Sequence, residues 1–292
     1  MKMQRPKVRF KGFTDDWEQR KLEELVGIYD GVHQTPDYQD SGIMFLSVEN
    51  IATLKSEKYI SEEAFERDYK VYPEKGDILM TRIGDVGTTN VVETAEKVAF
   101  YVSLALLKPN EIDSYFLSNA MKTNAFQKGL RERTLVTAIP QKINKDEIGK
   151  IDIFITNNDE EQKKIGAYFS NLDHLITFHQ RKCEQTKKLK KYMLQKMFPK
   201  EGQTVPEVRF EGFTDAWEKR KFGDLGSVSM CRRIFKEQTA TEGDIPFYKI
   251  GTFGGEPDAF ISRALFEEYK EKYQYPEVGD MLISASGTIG RT

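Results

Sequence analysis

Several features that would assign a chemistry are missing from this sequence of 292 residues. Its two cysteines, Cys183 and Cys231, are too few and too far apart for a disulfide framework or for a structural zinc site, which needs about four closely spaced ligands. It contains no run of about 18 apolar residues and no segment with the pattern of a secretory signal. These absences predict a protein of the cytoplasm that has no membrane span and binds no metal.

Motifs for nucleotide hydrolysis and methyl transfer are missing as well. Residues 84–87 (GDVG) lack the lysine that a phosphate-binding loop needs. The sequence has no Pro-Pro dipeptide, which excludes the Asp/Asn-Pro-Pro-aromatic motif of adenine methyltransferases. A nuclease pattern built from residues 36–37 and 161–163 is loose enough to arise by accident, and the three histidines are too dispersed for a catalytic triad. We therefore predict no catalytic residues.

Charge of one sign is not in excess either. The chain has 44 Lys and Arg against 46 Asp and Glu, a net charge of −2. This balance argues against a protein that coats nucleic acid or anionic membrane by bulk charge. It does not exclude a specific DNA reader, which needs only local basic clusters at the phosphates and a few side chains at base edges.

What the sequence does contain is one segment twice. Residues 6–21 (PKVRFKGFTDDWEQRK) are matched by residues 206–221 (PEVRFEGFTDAWEKRK), with 12 of 16 positions identical. We call these segments the first repeat and the second repeat. A further pair, residues 72–87 and 275–290, predicts a turn, an apolar strand and a glycine loop in each copy. The chain is therefore predicted to hold one module twice, with the second copy incomplete.

The glycine loops of the two copies differ at three aligned pairs: Arg82 and Ala285, Ile83 and Ser286, and Asp85 and Thr288. A shared frame with different loops suits two sites that recognise different things on the same scaffold. Ordinary drift at surface positions explains the same differences equally well.

The remaining patterns predict a mixed α/β (α+β) fold for each copy. In the first copy we expect strands at residues 43–48, 98–107 and 151–155, one helix over 113–130 closed by Gly129, and a capped turn at 144–148. Residues 245–250 predict a buried strand in the second copy.

Residues 159–198 contain no proline and one glycine, and their acidic start and basic end suit the dipole of a single long helix. Forty residues would span roughly 60 Å. Its apolar positions alternate steps of four and three in the manner of a coiled coil, at Ile165, Phe169, Leu172 and Ile176 and again at Met193 and Met197. The basic run over 181–200 is explained by a solvated face, by phosphate contact or by an acidic partner.

Residues 6–17 and 206–217 resemble the opening of the target-recognition domains in specificity subunits of type I restriction-modification systems. Residues 30–36, 45–51, 231–236 and 247–253 also resemble that family, and residues 161–166, 172–176 and 193–199 are similar to the spacer between its two domains. The resemblance covers essentially the whole chain. It implies a first target-recognition domain at 1–157, a long spacer helix at 158–200 and the start of a second domain at 201–292.

The resemblance implies a DNA-recognition subunit that is not itself an enzyme. In that family each domain reads one half of a split DNA sequence, and the long helices set the gap and dock methyltransferase (M) subunits, which restriction (R) subunits join. S-adenosylmethionine and ATP would be bound by those partners, so we expect no cofactor in this chain. The incomplete second copy leaves open a truncated fragment that binds M subunits without reading a split target. The exposed helix seam predicts self-association.

We expect the DNA contacts on loops beside the paired strands. Arginine is suited to guanine and glutamine to adenine in the major groove, each bidentate pair being worth about 1–3 kcal/mol of discrimination. Arg82, in the glycine loop, is the first choice, and an ordinary solvated side chain is the alternative at every position. The candidates are His33, Gln34, Thr35, Thr81, Arg82, Thr88, Arg131, Arg133 and Lys142 in the first copy and Arg232, Arg233, Lys249 and Ser286 in the second.

Overall fold

The computed structural model describes residues 5–287 and 289–292, so Thr288 of the predicted second glycine loop lies outside the described residues. The chain divides into two compact units, Met1–Leu189 and Lys190–Thr292. The mixed α/β class, with two related copies joined by a long helix, is confirmed.

The described residues of the first unit form two sheets and a two-stranded ribbon. Its strands are β1 (Glu18–Lys21), β2 (Val26–Asp30), β3 (Ile43–Leu46), β4 (Tyr59–Ile60), β5 (Ile78–Thr81), β6 (Thr89–Val91), β7 (Val98–Phe100), β8 (Leu104–Pro109) and β9 (Asp152–Ile155). The order β2-β8-β5-β6 forms an antiparallel sheet, and β4-β3-β7 forms a second sheet in which β3 and β7 run parallel. Strand β1 pairs antiparallel with β9. The helices are α1 (Glu62–Asp68), α2 (Ser114–Met121), α3 (Asn124–Arg133), α4 (Lys145–Gly149) and α5 (Asp159–Lys196).

Two hydrophobic cores lie on opposite faces of the four-stranded sheet. Ile78 and Met80 of β5 join the core formed with α2, α3 and α4, while Leu79 joins the core formed with α1 and the three-stranded sheet. Strand β8 alternates in the same way, with Leu107 in the first core and Leu106 in the second. A strand buried on both faces has a continuous apolar sequence, which is why β5 is visible in the sequence.

The expected strand at residues 98–107 is wrong in its extent. It is divided into β7, which pairs with β3, and β8, which pairs with β2 and β5. A turn closed by the bond from Leu104 N to Tyr101 O, 2.9 Å, separates them. The chain passes at this turn from the three-stranded sheet to the four-stranded sheet. The single apolar run at residues 98–107 therefore contributes one strand to each sheet.

The expected helix at residues 113–130 is likewise two helices, α2 and α3. Thr123 has an extended backbone (ψ 151°) and its hydroxyl donates to Ala120 O at 2.7 Å, so it ends the first helix and precedes the second. Gly129 does not end a helix but lies inside α3. A Cβ there would lie 3.1 Å from Cγ2 of Ile151, so the glycine permits close packing.

Helix α5 confirms the predicted long helix with 38 residues, about 57 Å at 1.5 Å per residue. Asn158 caps its start, because its Oδ1 accepts from Glu161 N at 3.0 Å. The helix ends at Lys196, shortly before Pro199. Of the predicted seam residues, Ile165 packs against the first core, whereas Phe169, Leu172 and Ile176 are exposed. No helix in the described part of the chain is both long enough and apolar enough to cross a membrane.

The second unit holds few regular elements. They are α6 (Phe222–Leu225), β10 (Ile245–Pro246), β11 (Phe260–Ile261) and α7 (Arg263–Lys272), with β10 and β11 paired antiparallel. The predicted buried strand at 245–250 is wrong in its extent and its burial, because β10 ends at Pro246, which is exposed, and Ile250 begins a helical turn. The predicted apolar strand after residue 280 is also not formed. Within the described residues no strand pairs with it, and Met281 is 71% exposed.

The glycine loop of the first unit provides a stability test with a matched control. Gly87 has φ +104° and a Cβ added there would lie 2.2 Å from Cδ2 of Leu130, whereas Gly84 (φ +82°) has open space around it. We expect Gly87→Ala to lower the free energy of unfolding by about 2–4 kcal/mol and Gly84→Ala by only about 1 kcal/mol. Urea unfolding of both variants measures the difference. Equal losses would show that the contact with Leu130 is not a constraint.

Candidate nucleic-acid interface

Three loops of the first unit meet at one edge, and we call residues 31–35, 82–88 and 134–142 the loop surface. The first two loops are joined through the turn before β8. Val102 N donates to Val32 O at 3.0 Å, and Arg82 N donates to Ser103 O at 2.9 Å. The structure thus brings together candidates from segments that lie about fifty residues apart in the sequence.

The third loop is attached to the glycine loop by its main chain. Gly84 N donates to Gln141 O at 2.9 Å, and Ile143 N donates to Arg82 O at 3.0 Å. The side chain of Gln141 returns a bond to Gly84 O at 3.0 Å. These bonds place Lys142, next to Gln141, beside the glycine loop.

Thr81 closes the glycine loop. Its hydroxyl accepts from Thr88 N at 2.9 Å, its own N–H donates to Thr88 O at 2.9 Å, and its carbonyl accepts from Gly87 N at 2.9 Å. The side chain of Thr81 is fully buried. In this conformation it holds the loop and does not reach the surface.

Arg82 is also turned inward. Its guanidinium forms an ion pair with Asp30 at the end of β2, and its side chain is 8% exposed. Burial lowers the pKa of Arg82, and its Nε has no hydrogen-bond partner among the described residues. In this conformation Arg82, the first choice for a base contact, links the glycine loop to β2. Its side chain does not extend toward a ligand.

The other candidates of the first unit lie at the surface. His33, Gln34, Thr35, Thr88 and Lys142 are exposed on the loop surface. Arg131 and Arg133 belong to the last turn of α3, directly before the third loop; Arg131 is exposed. Arg133 is half-buried, with its Nη1 donating to Gly129 O at 3.3 Å. Their contact with DNA stays a prediction.

Apolar side chains on the third loop were missed by the sequence reasoning. Val136 is 69% exposed and Ile139 fully exposed, and Leu135 lies beside them. Exposed apolar groups on a loop suit contact with thymine methyl groups or bases. The sequence offers one indication of this exposure. The apolar residues at 135–139 follow neither the periodicity of a helix nor that of a strand.

The glycine loop of the second unit closes with the same bonds. Ser284 takes the place of Thr81: its hydroxyl accepts from Arg291 N at 3.0 Å, its N–H donates to Arg291 O at 3.0 Å, and its carbonyl accepts from Gly290 N at 3.0 Å. Arg291 therefore occupies the position of Thr88. Its guanidinium donates to Phe253 O at 2.7 Å. Extending the alignment of residues 72–87 with 275–290 by one residue would have identified Arg291 as the counterpart of Thr88.

The four candidates of the second unit are all exposed. Ser286 lies in the loop closed by Ser284. Lys249 precedes the helical turn Ile250–Thr252 and pairs with Asp258 at 2.8 Å. The guanidinium of Arg232 lies 5.2 Å from the ring centre of Tyr273, at the end of α7, and Arg233 follows it in the chain.

The ion pair between Arg82 and Asp30 gives a second stability test. Asp30→Ala would leave the guanidinium of Arg82 covered without its carboxylate, and we expect a loss of about 2 kcal/mol in the free energy of unfolding. Asp40→Ala, at an exposed aspartate nearby in the sequence, is the matched control and should change stability by less than about 0.5 kcal/mol. Thermal unfolding distinguishes them, and equal effects would count against a structural role for Asp30.

Known proteins resemble this chain in sequence and in fold. Residues 14–188 and 214–292 match the family described as Type I restriction modification DNA specificity domain. A protein of Haemophilus influenzae that carries the name of a type I restriction enzyme specificity subunit is 71% identical over 72 residues, 25% of this chain and 19% of that protein. The type I restriction enzyme MjaVIII specificity subunit of Methanocaldococcus jannaschii is 24% identical over 192 residues, 62% of this chain and 45% of that protein.

Among solved structures, the type I restriction-modification S subunit from M. genitalium matches with a TM-score of 0.55 and 15% identity, covering 88% of this chain and 64% of that one. At this identity the likeness concerns the fold. The chain spans less than two thirds of each of these relatives. Because the family match extends over both units and most of the chain, this protein belongs to the type I restriction-modification DNA specificity family.

Proposed function

We propose that this chain is the non-catalytic DNA-recognition subunit of a type I restriction-modification complex, in which each unit reads one half of a split DNA target. The observation that carries the proposal is the pair of glycine loops. Both are closed by the same three bonds from Thr81 or Ser284, yet they present different residues, Thr88 in one and Arg291 in the other. One frame with two sets of exposed groups suits two different half-sites.

The loop surface has the chemistry that DNA contact requires. Lys142 and Arg131 supply positive charge for phosphates, while Gln34 and His33 can donate to and accept from base edges. Arg82 has a positioning role in this proposal, because its side chain is covered and paired with Asp30. The exposed members of the candidate set are therefore the ones we expect at the DNA.

We assign the catalytic work to partner subunits. The middle of helix α5 is exposed along residues 171–192, and Leu172 and Ile176 present apolar side chains there. Such a face suits docking of methyltransferase subunits, with restriction subunits joining the complex. S-adenosylmethionine and ATP would then be bound by those partners.

A second candidate is a specificity fragment that binds methyltransferase subunits without reading a complete split target. It is favoured by the second unit, where the apolar residues around Met281 have no paired strand among the described residues. One experiment separates the two candidates.

The chain is co-expressed with the methyltransferase subunit of its own system, and adenine methylation is mapped by long-read sequencing. Methylation of a two-part sequence supports the recognition subunit. Co-purification without methylation supports the fragment. A chain that neither co-purifies with the methyltransferase subunit nor directs methylation contradicts both.

Lys142 allows a test of the loop surface in the assembled complex. We expect Lys142→Ala to weaken DNA binding and to reduce the slope of log K against log salt by about 1, because one phosphate contact is lost. Lys145→Ala is the matched control, since Lys145 is also exposed but lies on α4, beyond the buried Ile143. Fluorescence anisotropy over a salt series measures both. The same slope in the two variants would remove Lys142 from the interface.

A further inference from the structure

The first repeat is fastened to the start of helix α5. Arg9 donates two hydrogen bonds to Glu161, from Nε to Oε1 at 2.5 Å and from Nη2 to Oε2 at 2.8 Å. Phe10 packs edge-on against Tyr168, with ring centres 5.9 Å apart, and Nζ of Lys164 lies 5.0 Å from the ring centre of Phe13. Arg9, Phe10 and Phe13 are thus the residues of the repeat that hold the helix start.

The carboxylate in this contact is fully covered, since the side chain of Glu161 is 0% exposed. Burial raises its pKa, but bonds to Arg9 and Thr156 and the charge of Arg9 outweigh burial, and the pKa lies below its ordinary value. A charge buried in this way is stable only while its partner is present.

The second repeat has the same local conformation. Arg209 Nη1 donates to Asp215 O at 2.6 Å, as Arg9 Nη1 does to Asp15 O at 2.6 Å. The glycines that follow also agree, with φ +90° at Gly212 and +103° at Gly12. All three residues that hold the helix start recur unchanged as Arg209, Phe210 and Phe213.

In the second repeat, these three residues contact no helix start among the described residues. Among the described residues, Nε and Nη2 of Arg209 meet no carboxylate. Phe210 is 72% exposed and Phe213 is 66% exposed. With Met193 and Met197 they line an apolar groove of about 460 Å³.

The two repeats are also attached differently. The second is tied to the end of α5 by its main chain, from Val208 N to Lys196 O at 3.0 Å, and Glu207 pairs with both Lys196 and Lys200. Within the described chain, by contrast, no main-chain hydrogen bond joins residues 5–16 to another segment. Residues 6–16 of the first repeat are therefore held on α5 by side chains alone, whereas residues 18–21 of the same repeat pair with β9.

We propose that the groove of the second repeat binds the start of α5 from a second copy of this chain, with Arg209 replacing Arg9 at that copy's Glu161. The occupant follows from the contacts: the groove repeats the three side chains that hold this helix start, including the guanidinium that its buried carboxylate requires. The exchange is reciprocal, so it closes a twofold dimer. The first repeat acts as the competitor within each copy. The inference does not depend on DNA recognition.

The test is sedimentation velocity on the full chain over a range of concentrations. We expect Arg9→Ala to lower the dimer dissociation constant at least about tenfold, because the uncovered Glu161 then depends on Arg209 of the other copy. Adding Arg209→Ala or Glu161→Gln to Arg9→Ala should abolish this gain. Adding Arg220→Ala should preserve it, because Arg220 is an exposed arginine of the same repeat that pairs only with Glu218 in the described chain.

Two results would overturn the proposal. One is an Arg9→Ala chain that dimerises no more tightly than the unmodified chain. The other is a gain that survives Arg209→Ala, since pairing along the exposed middle of α5 would not need Arg209. If Arg9→Ala does not fold, the unmodified chain and Arg209→Ala are compared at high concentration, where Arg209→Ala must weaken dimerisation and an unchanged constant rejects the proposal.

Discussion

The pairing of β5 with β8 is the constraint on which the first unit depends. Both strands are buried on both faces, so they separate the two hydrophobic cores and belong to each. The end of β5 is Thr81, whose hydroxyl and main chain close the glycine loop. Strand β5 therefore determines both the packing of the two cores and the position of the glycine loop. In the second unit the corresponding residues have the loop closure, but no strand pairs with them in the part of the chain that the structure describes.

The sequence predicted those features that depend on neighbouring residues. Helix α5 was predictable because its 38 residues contain no proline and have an acidic start, and β5 was predictable because a strand between two cores is apolar throughout. The break at Thr123 was missed because the apolar period continues across it. The role of Gly129 was missed because it depends on Ile151 in another element.

In the candidate site, too, the features set by neighbouring residues could be predicted, and those set by residues distant in the sequence could not. Exposure of His33 and Gln34 follows from their place in a polar turn, and both are exposed in the structure. The burial of Arg82 could not be predicted, because its partner Asp30 lies 52 positions earlier and meets it only when β2, β8 and β5 are assembled. The strand expected after residue 280 fails for a related reason, since a strand requires a partner that no local pattern specifies.

In both glycine loops, the groups that fix the shape of the loop differ from the side chains that the loop exposes. The bonds that shape each loop come from the main chain and from one hydroxyl, on Thr81 or Ser284, while the side chains at positions 88 and 291 take no part in them. Replacing a displayed residue therefore leaves the closing bonds of the loop in place, although at position 291 it also removes the bond from the guanidinium to Phe253 O. In a protein built in this way, the exposed groups of each loop can be changed by single substitutions that leave the closing bonds intact, and protein design can use the same positions.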